Sequence, residues 1–302
     1  MAQATSAEAL AQWNAAATIP LWSGAAPNGG FRPQTLPAGS PPVFLRNIEQ
    51  PYLRVFRPAR PNGRSLLSIP GGAYTFVSIA NEGVDIAREM TARGYTVLVL
   101  VYRLPGEGWA GRADVPLQDA QRAVRLIRAH SGEYGCDPAK LYAVGFSAGG
   151  HLAASLATDF AQPVYPGADK ADAQSARPRA VGLIYPVISH EPGVGHAESS
   201  LRLLGESPSA DLVARRSPAL HVTAETPPTF LVHAMDDPAV PVDNSFIMLR
   251  ALRAAKRPVE AHFFEEGGHG FGLGPPDKPV RSWIELLANW IERQEAIAAK
   301  AA

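Results

Sequence analysis

A chain of 302 residues, 46% hydrophobic and 19% charged, is long enough for one large α/β core and too apolar for a disordered chain. Its 28 basic and 28 acidic side chains cancel, which removes the electrostatic basis for binding a nucleic-acid backbone or an anionic membrane surface. The lone cysteine, Cys136, excludes an internal disulfide framework, and no stretch approaches the ~20 apolar residues that span a bilayer.

The first residues lack the basic and apolar regions of a signal peptide. That start suits a cytoplasmic protein and, equally, a periplasmic or secreted one whose leader has been removed. Residues 1–50 are rich in Ala, Pro and Gly, with Trp13 and Trp22 among them, and are expected to form an extended arm packed on a domain of residues 51–302. The two together make a single domain.

From residue 52 a regular alternation begins. Strands are expected at 52–57, 65–69, 96–102, 141–146, 180–185, 229–234 and 259–264. Helices are expected near 80–93, 116–131, 148–159, 242–256 and 280–298. The clearest is 116–131, where Leu117, Ala120, Val124 and Ile127 share one face and Arg122, Arg125 and Arg128 lie largely off it. Near-continuous apolar strands alternating with helices imply an α/β fold: a mostly parallel central sheet with helices on both faces. Segments 160–179 and 187–227 carry no clear element. Placed at the carboxyl edge of the sheet, they either shape a ligand cleft or serve as surface padding.

The run Leu141-Tyr142-Ala143-Val144-Gly145-Phe146-Ser147-Ala148-Gly149-Gly150 sets a serine between glycines where an apolar strand turns into a small-residue helix. It reads as a nucleophile elbow, in which the flanking positions are glycine because a Cβ there would collide with neighbouring elements. A serine hydroxyl needs a base and an acid that orients it. His262 lies inside a strand, whereas His269 sits in the glycine-rich loop 266–271 just past the last strand, so His269 is the expected base. The preceding strand ends in Met235-Asp236-Asp237-Pro238, and Asp237 is the expected acid, with Asp236 serving the turn. The order Ser, Asp, His is that of a hydrolase built on such a sheet.

Acyl transfer also needs backbone N–H groups aimed at the developing oxyanion. Ala148, directly after the nucleophile, is one expected donor. Gly72 and Ala73, in the glycine-rich turn Pro70-Gly71-Gly72-Ala73, are the others. Tyr74, Trp109 and Phe146 are the expected substrate contacts, Trp109 as a sugar-stacking platform; Tyr102-Arg103 and Asp119 are read as holding the sheet together. No zinc-binding, Cys-x-x-Cys or P-loop motif occurs, so neither metal nor cofactor is expected.

Together, Pro70–Ala73, Gly145–Gly150, Asp237–Pro241 and Gly268–Phe271 resemble the α/β-hydrolase superfamily, and within it the acetyl esterase and acetylxylan esterase group, also called xylanase-like or feruloyl-esterase-like. Segment 19–27 resembles that group's N-terminal arm. One departure stands out. Many relatives open the oxyanion loop with His-Gly-Gly-Gly, where this chain has Pro70, so any loop-orienting role of the His must be filled otherwise. The resemblance implies a metal-free serine esterase that removes acetyl groups from acetylated xylan or xylo-oligosaccharides, its partner being a small-molecule or oligosaccharide ester. A short-chain carboxylesterase, a feruloyl esterase and a catalytically silent binding protein are the rival readings; the oligomeric state is left open.

Overall fold

Aliphatic and β-branched runs set the centre of the molecule. The computed structural model describes residues 3–301, and in it β6 (Thr96–Val101), β8 (Val181–Ile184) and β9 (Thr229–Ala234) are buried along their whole length. Strands covered on both faces have no reason to alternate apolar with polar residues. They belong to an eight-stranded sheet in the order β1 (Ala17–Pro20), β3 (Tyr52–Phe56), β6, β4 (Gly63–Ile69), β7 (Cys136–Phe146), β8, β9, β10 (Val259–Phe264). Only β3 runs against the others, being antiparallel to both β1 and β6. A small second sheet pairs β2 (Phe44–Leu45) with β5 (Val77–Ser78).

The chain moves one way from β4 through α2 (Asp85–Ala92) to β6 and then back across β4 through α3 (Val115–Ala129) to β7. Right-handed crossovers in opposite directions place α2 on one face and α3 and α4 (Ser147–Asp159) on the other. Side chains at the end of β7 show both layers. Gly145 faces Ala153 of α4, and the next residue, Phe146, packs against Trp283 of α8 (Trp283–Ala301). Helix α7 (Asp243–Ala254) connects β9 to β10. The strand order reverses between β4 and β7, and such a reversal opens a crevice at the carboxyl ends of the two strands.

Three segments differ from the sequence reading. The arm is not simply extended: Thr5 and Glu8 form a capping box that starts α1 (Ser6–Ala15), and β1 then joins the main sheet as an edge strand, with Ala17 opposite Val55. Farther along, the buried Glu107 carboxylate accepts the backbone N–H groups of Asn47 (2.5 Å) and Ile48 (2.9 Å), and burial pushes its pKa up to about 7. Segment 160–179 follows a helix rather than a strand. It is clamped by arginines of α3, and Arg122, expected off the apolar face, is buried: its Nε donates to the Leu21 carbonyl at 2.8 Å and its Nη1 to Asp169 at 2.9 Å. Segment 187–227 contains α5 (Ala197–Leu204) and α6 (Ala210–Arg215). Among the described residues no helix is long and apolar enough to cross a membrane.

Arg103 and Asp119 hold this framework as the sequence suggests. Both side chains are fully buried; Arg103 Nη2 meets Asp119 Oδ1 at 2.8 Å and Nε meets Oδ2 at 2.9 Å, while Trp22 of the arm donates Nε1–H to Oδ1 at 3.0 Å. Removing one partner strands the other charge in the core. Asp119→Ala is therefore expected to destabilise the fold by about 3–5 kcal/mol in urea unfolding; a loss below about 1 kcal/mol would show that water reaches Arg103.

Candidate active site

Ile69 at the end of β4 lies directly beside Gly145 in β7, so the loop that follows β4 and the turn that follows β7 leave the sheet side by side. Ser147 occupies that turn at φ 52°, a left-handed conformation costly for a residue with a Cβ. The glycines around it fit because nothing larger would. A Cβ on Gly149 would lie 2.1 Å from the Ile69 carbonyl oxygen, and one on Gly145 would lie 2.3 Å from that of Gly149.

Ser147 Oγ is 2.9 Å from His269 Nε2, and His269 Nδ1 is 2.7 Å from Asp237 Oδ2. An ionised carboxylate only accepts, so Nδ1 carries the proton and Nε2 is left to accept from the serine. The Asp237 carboxylate is fully buried. Its Oδ1 accepts the N–H groups of Ala239 and Val240, each at 2.9 Å, and Oδ2 meets a second imidazole, His233 Nε2, at 3.2 Å. Burial works against the charge, but hydrogen bonds from His233 and His269 outweigh it and hold the carboxyl well below the usual carboxylate range. Asp236 acts on the backbone instead. Its Oδ1 accepts the N–H groups of Gly267 and Gly268 at 2.9 and 2.8 Å, tying the acid turn to the histidine loop.

Gly71 donates its N–H to Glu82, and Thr75 and Phe76 donate theirs to the Gly72 carbonyl. Ala148 is the second residue of α4, so its N–H has no carbonyl one turn earlier in the helix. Gly72 and Ala73 line the space in front of Ser147, and Ala148 is buried directly after it.

That space is a cleft of about 460 Å³, within the range of small-molecule sites. Besides Ser147, His269, Gly72 and Ala73, its walls include Val43 and Phe44 from the arm, Phe76, Asn81 and Glu82, and His196 from the 187–227 segment. Phe44 and Phe76 stack at 4.3 Å between ring centroids. His196 caps α5, accepting the Ser199 N–H at Nδ1, and burial lowers its pKa so that the ring is neutral with Nε2 protonated. Segment 160–179 supplies none of the cleft's lining residues.

None of the three expected substrate contacts lines this cleft. Tyr74 is buried with its hydroxyl 2.7 Å from His151 Nδ1. Phe146 is buried between Tyr185 and Trp283, on the face of β7 away from α4. Trp109 is 6% exposed, packed on Phe31 and under the Arg103 guanidinium, and so anchors a loop instead of offering a face to a sugar. The sequence reading in turn missed His196, Phe44 and Phe76, whose segments carry no motif, and His233, which falls within the expected strand 229–234. Among the described residues no cluster of three or more His, Cys, Asp or Glu side chains is arranged to hold a metal ion.

The arrangement can activate a hydroxyl, stabilise an oxyanion and return a proton to a leaving group. Comparison with known proteins agrees with such chemistry. The BD-FAE family model matches residues 55–252. The chain is 31% identical over 241 residues to the acetylxylan esterase of Xylanibacter ruminicola, an alignment covering 78% of this chain and 47% of that protein. It is 38% identical over 205 residues to endo-1,4-beta-xylanase B of Butyrivibrio fibrisolvens, covering 68% and 32%. The chain thus spans about half the length, or less, of these curated relatives. Among solved structures it is similar to an acetyl ester-xyloside bifunctional hydrolase from Caldicellulosiruptor lactoaceticus, with 34% identity and a TM-score of 0.75 over 90% of this chain and 98% of that one. The fold is the α/β-hydrolase fold.

Behind Tyr74, two imidazoles are buried in contact. His151 Nε2 is 2.7 Å from the Arg216 carbonyl and 3.0 Å from His190 Nε2, and His190 Nδ1 meets Ser200 Oγ at 2.8 Å. Burial lowers the pKa of His151 to about 4 and, with help from His151 and Arg216, that of His190 to about 2. Both are neutral in the folded chain but bind protons once unfolded, near pH 6.5. Stability is therefore full above about pH 6.5 and falls as the pH drops toward 4, by roughly 1.4 kcal/mol per pH unit for each ring. Urea unfolding at pH 7.5, 6 and 5 is expected to show this fall, and His151→Gln to make it shallower. Equal stability at pH 7.5 and 5 would mean that water already hydrates the pair.

Proposed function

Because the chain belongs to the BD-FAE family, we propose that it is a carboxylic ester hydrolase acting through a serine acyl-enzyme, and that its natural ester is acetate on xylan or xylo-oligosaccharides. The observation that carries the reading is the unbroken chain from Ser147 Oγ through His269 to Asp237, at 2.9 and 2.7 Å. His269 takes the serine proton as Oγ attacks the ester carbonyl. The oxygen of the resulting tetrahedral centre gains a negative charge, which Ala148, Gly72 and Ala73 stabilise with their backbone N–H groups. His269 then gives its proton to the departing alcohol, and Asp237 stabilises the imidazolium in between. A water, deprotonated by the same imidazole, releases the acid and regenerates Ser147.

For the substrate, support comes from relatives named for acetylxylan and acetyl-xyloside hydrolysis. A feruloyl ester is the second reading. The stacked Phe44–Phe76 wall favours it, since a flat aromatic acid would lie well against it. No metal or nucleic acid takes part in either mechanism.

Acetate release from acetylated xylan, measured beside ferulate release from feruloylated arabinoxylan, distinguishes the two. Acetate is the expected product. Ser147→Ala is expected to lower the rate by about 10⁴-fold or more, and Asp237→Asn by a comparable factor because the His269 tautomer is then wrong. Ferulate alone would favour the second reading, and activity surviving Ser147→Ala would rule out the acyl-enzyme.

A further inference from the structure

The segment entering α2 starts as a π-helix, Ala80–Val84, closed by the Val84 N–H on the Ile79 carbonyl at 2.8 Å. Wide turns of this kind recur at functional sites. Here the turn directs Asn81 and Glu82 between two loops of the candidate site. Glu82 is 4% exposed, and among the described residues no Lys or Arg forms an ion pair with its carboxylate. One oxygen, Oε2, accepts the Gly71 N–H at 2.7 Å; the other, Oε1, accepts the Tyr185 hydroxyl at 2.8 Å. The Tyr185 oxygen in turn accepts the Gly272 N–H at 3.1 Å, and its ring packs edge-on against His269, 5.1 Å between centroids. Asn81 reinforces the link, its Nδ2 donating to the Gly270 carbonyl at 3.1 Å.

Burying a carboxylate without a counter-ion is unfavourable, so the bonds it makes must offset that penalty. Gly71 lies one residue before the oxyanion loop's donors, and a Cβ there would fall 2.6 Å from the Phe146 carbonyl oxygen, so the loop has no slack. Pro70 has no side-chain donor or acceptor with which to orient the loop.

We propose that Glu82 is a positioning residue for ester hydrolysis: one buried carboxylate holds the oxyanion loop through Gly71 and the histidine loop through Tyr185, keeping the two halves of the site in register. This rests on the ester-hydrolase reading above. Glu82→Gln keeps the shape but puts an N–H₂ where one of the two donors now bonds, and Tyr185→Phe keeps the ring on His269 while cutting the bridge.

The test uses a short-chain synthetic acetate, active sites counted with a fluorophosphonate, and a trifluoromethyl ketone as oxyanion probe. Ser147 Oγ adds to the ketone carbon, its proton passes to His269, and the ketone oxygen becomes the anion in the hole. Glu82→Gln is expected to lower kcat per titrated site by about 30-fold with KM within about threefold, and to weaken the ketone by a similar factor. Tyr185→Phe should cost about fivefold, and the double variant little more than Glu82→Gln alone, because both cut one chain of contacts. If Glu82 only stabilises the fold, the variants melt earlier while kcat and ketone affinity stay at the wild-type values, and the proposal fails. Should Glu82→Gln not fold, Tyr185→Phe decides by the same readouts. A wild-type protein inactive on every ester would overturn the esterase reading itself, a failure seen without any Glu82 variant.

Discussion

The site depends on how closely two strand ends approach. β4 and β7 are neighbours in register, so the turn after each must share one small space. Glycine at 71, 145 and 149 keeps that space open, since backbone or Cβ atoms stand 2.1–2.6 Å from any Cβ added there. Ser147 itself tolerates φ 52° because the sheet on one side and α4 on the other leave the turn no alternative. The strain is local, and the packing that enforces it belongs to the hydrophobic core. Under the proposed mechanism, a serine held this way needs little reorganisation when the ester arrives.

Electrostatically the centre is a set of buried acids and bases each given a different environment. Asp237, with two imidazoles and two backbone N–H groups on its oxygens, is kept ionised. Glu82, with only a backbone N–H and a phenol, has its pKa raised by burial, partly offset by Gly71, Tyr185 and His269. His151 and His190 are neutral in the folded state. The Asp237 carboxylate is thus the charge held against His269, and the Glu82 carboxyl bonds to the loops on either side. This ordering follows from how deeply each group is buried and from the number of donors it can reach.

Legibility in the sequence followed the range of the interactions concerned. The parallel sheet could be read because its central strands are continuous apolar runs, and both the buried 229–234 and the half-buried 259–264 were placed to the residue. Ser147, Asp237 and His269 could be read as a set that the fold would bring together, because each sits in a short loop at a strand end with its own turn chemistry. Tyr74, Trp109 and Phe146 were misplaced for one reason: an aromatic residue beside a functional loop looks the same in sequence whether its ring points to the cleft or the core. Phe146 shows how little separates the two, since β alternation sends it to α8 directly after Gly145 faces α4. The helix and strand of the arm were hidden by its Ala, Pro and Gly content, although the Thr5–Glu8 pair is itself a local signal for α1. The partners of Glu82, 11 and 103 residues away in sequence, leave no local pattern at all.

That contrast also separates reaction from substrate. The groups that would make and break the acyl bond stand on the sheet's edge, fixed by the core. The cleft wall is built from elsewhere: Val43 and Phe44 from the arm, Phe76 from the strip that pairs with it, and His196 from the 187–227 segment. The β2–β5 pair that carries Phe44 is only two residues per strand, and beyond it the arm is held by Glu107 on Asn47 and Ile48. Changes in such peripheral segments can reshape the wall without disturbing Ser147 or the sheet, which is why one fold serves many esters. On the proposed ester-hydrolase reading, selectivity is accordingly a property of the arm and the insertion, and it is there that substitutions should exchange one acyl or alcohol group for another while the reaction stays the same.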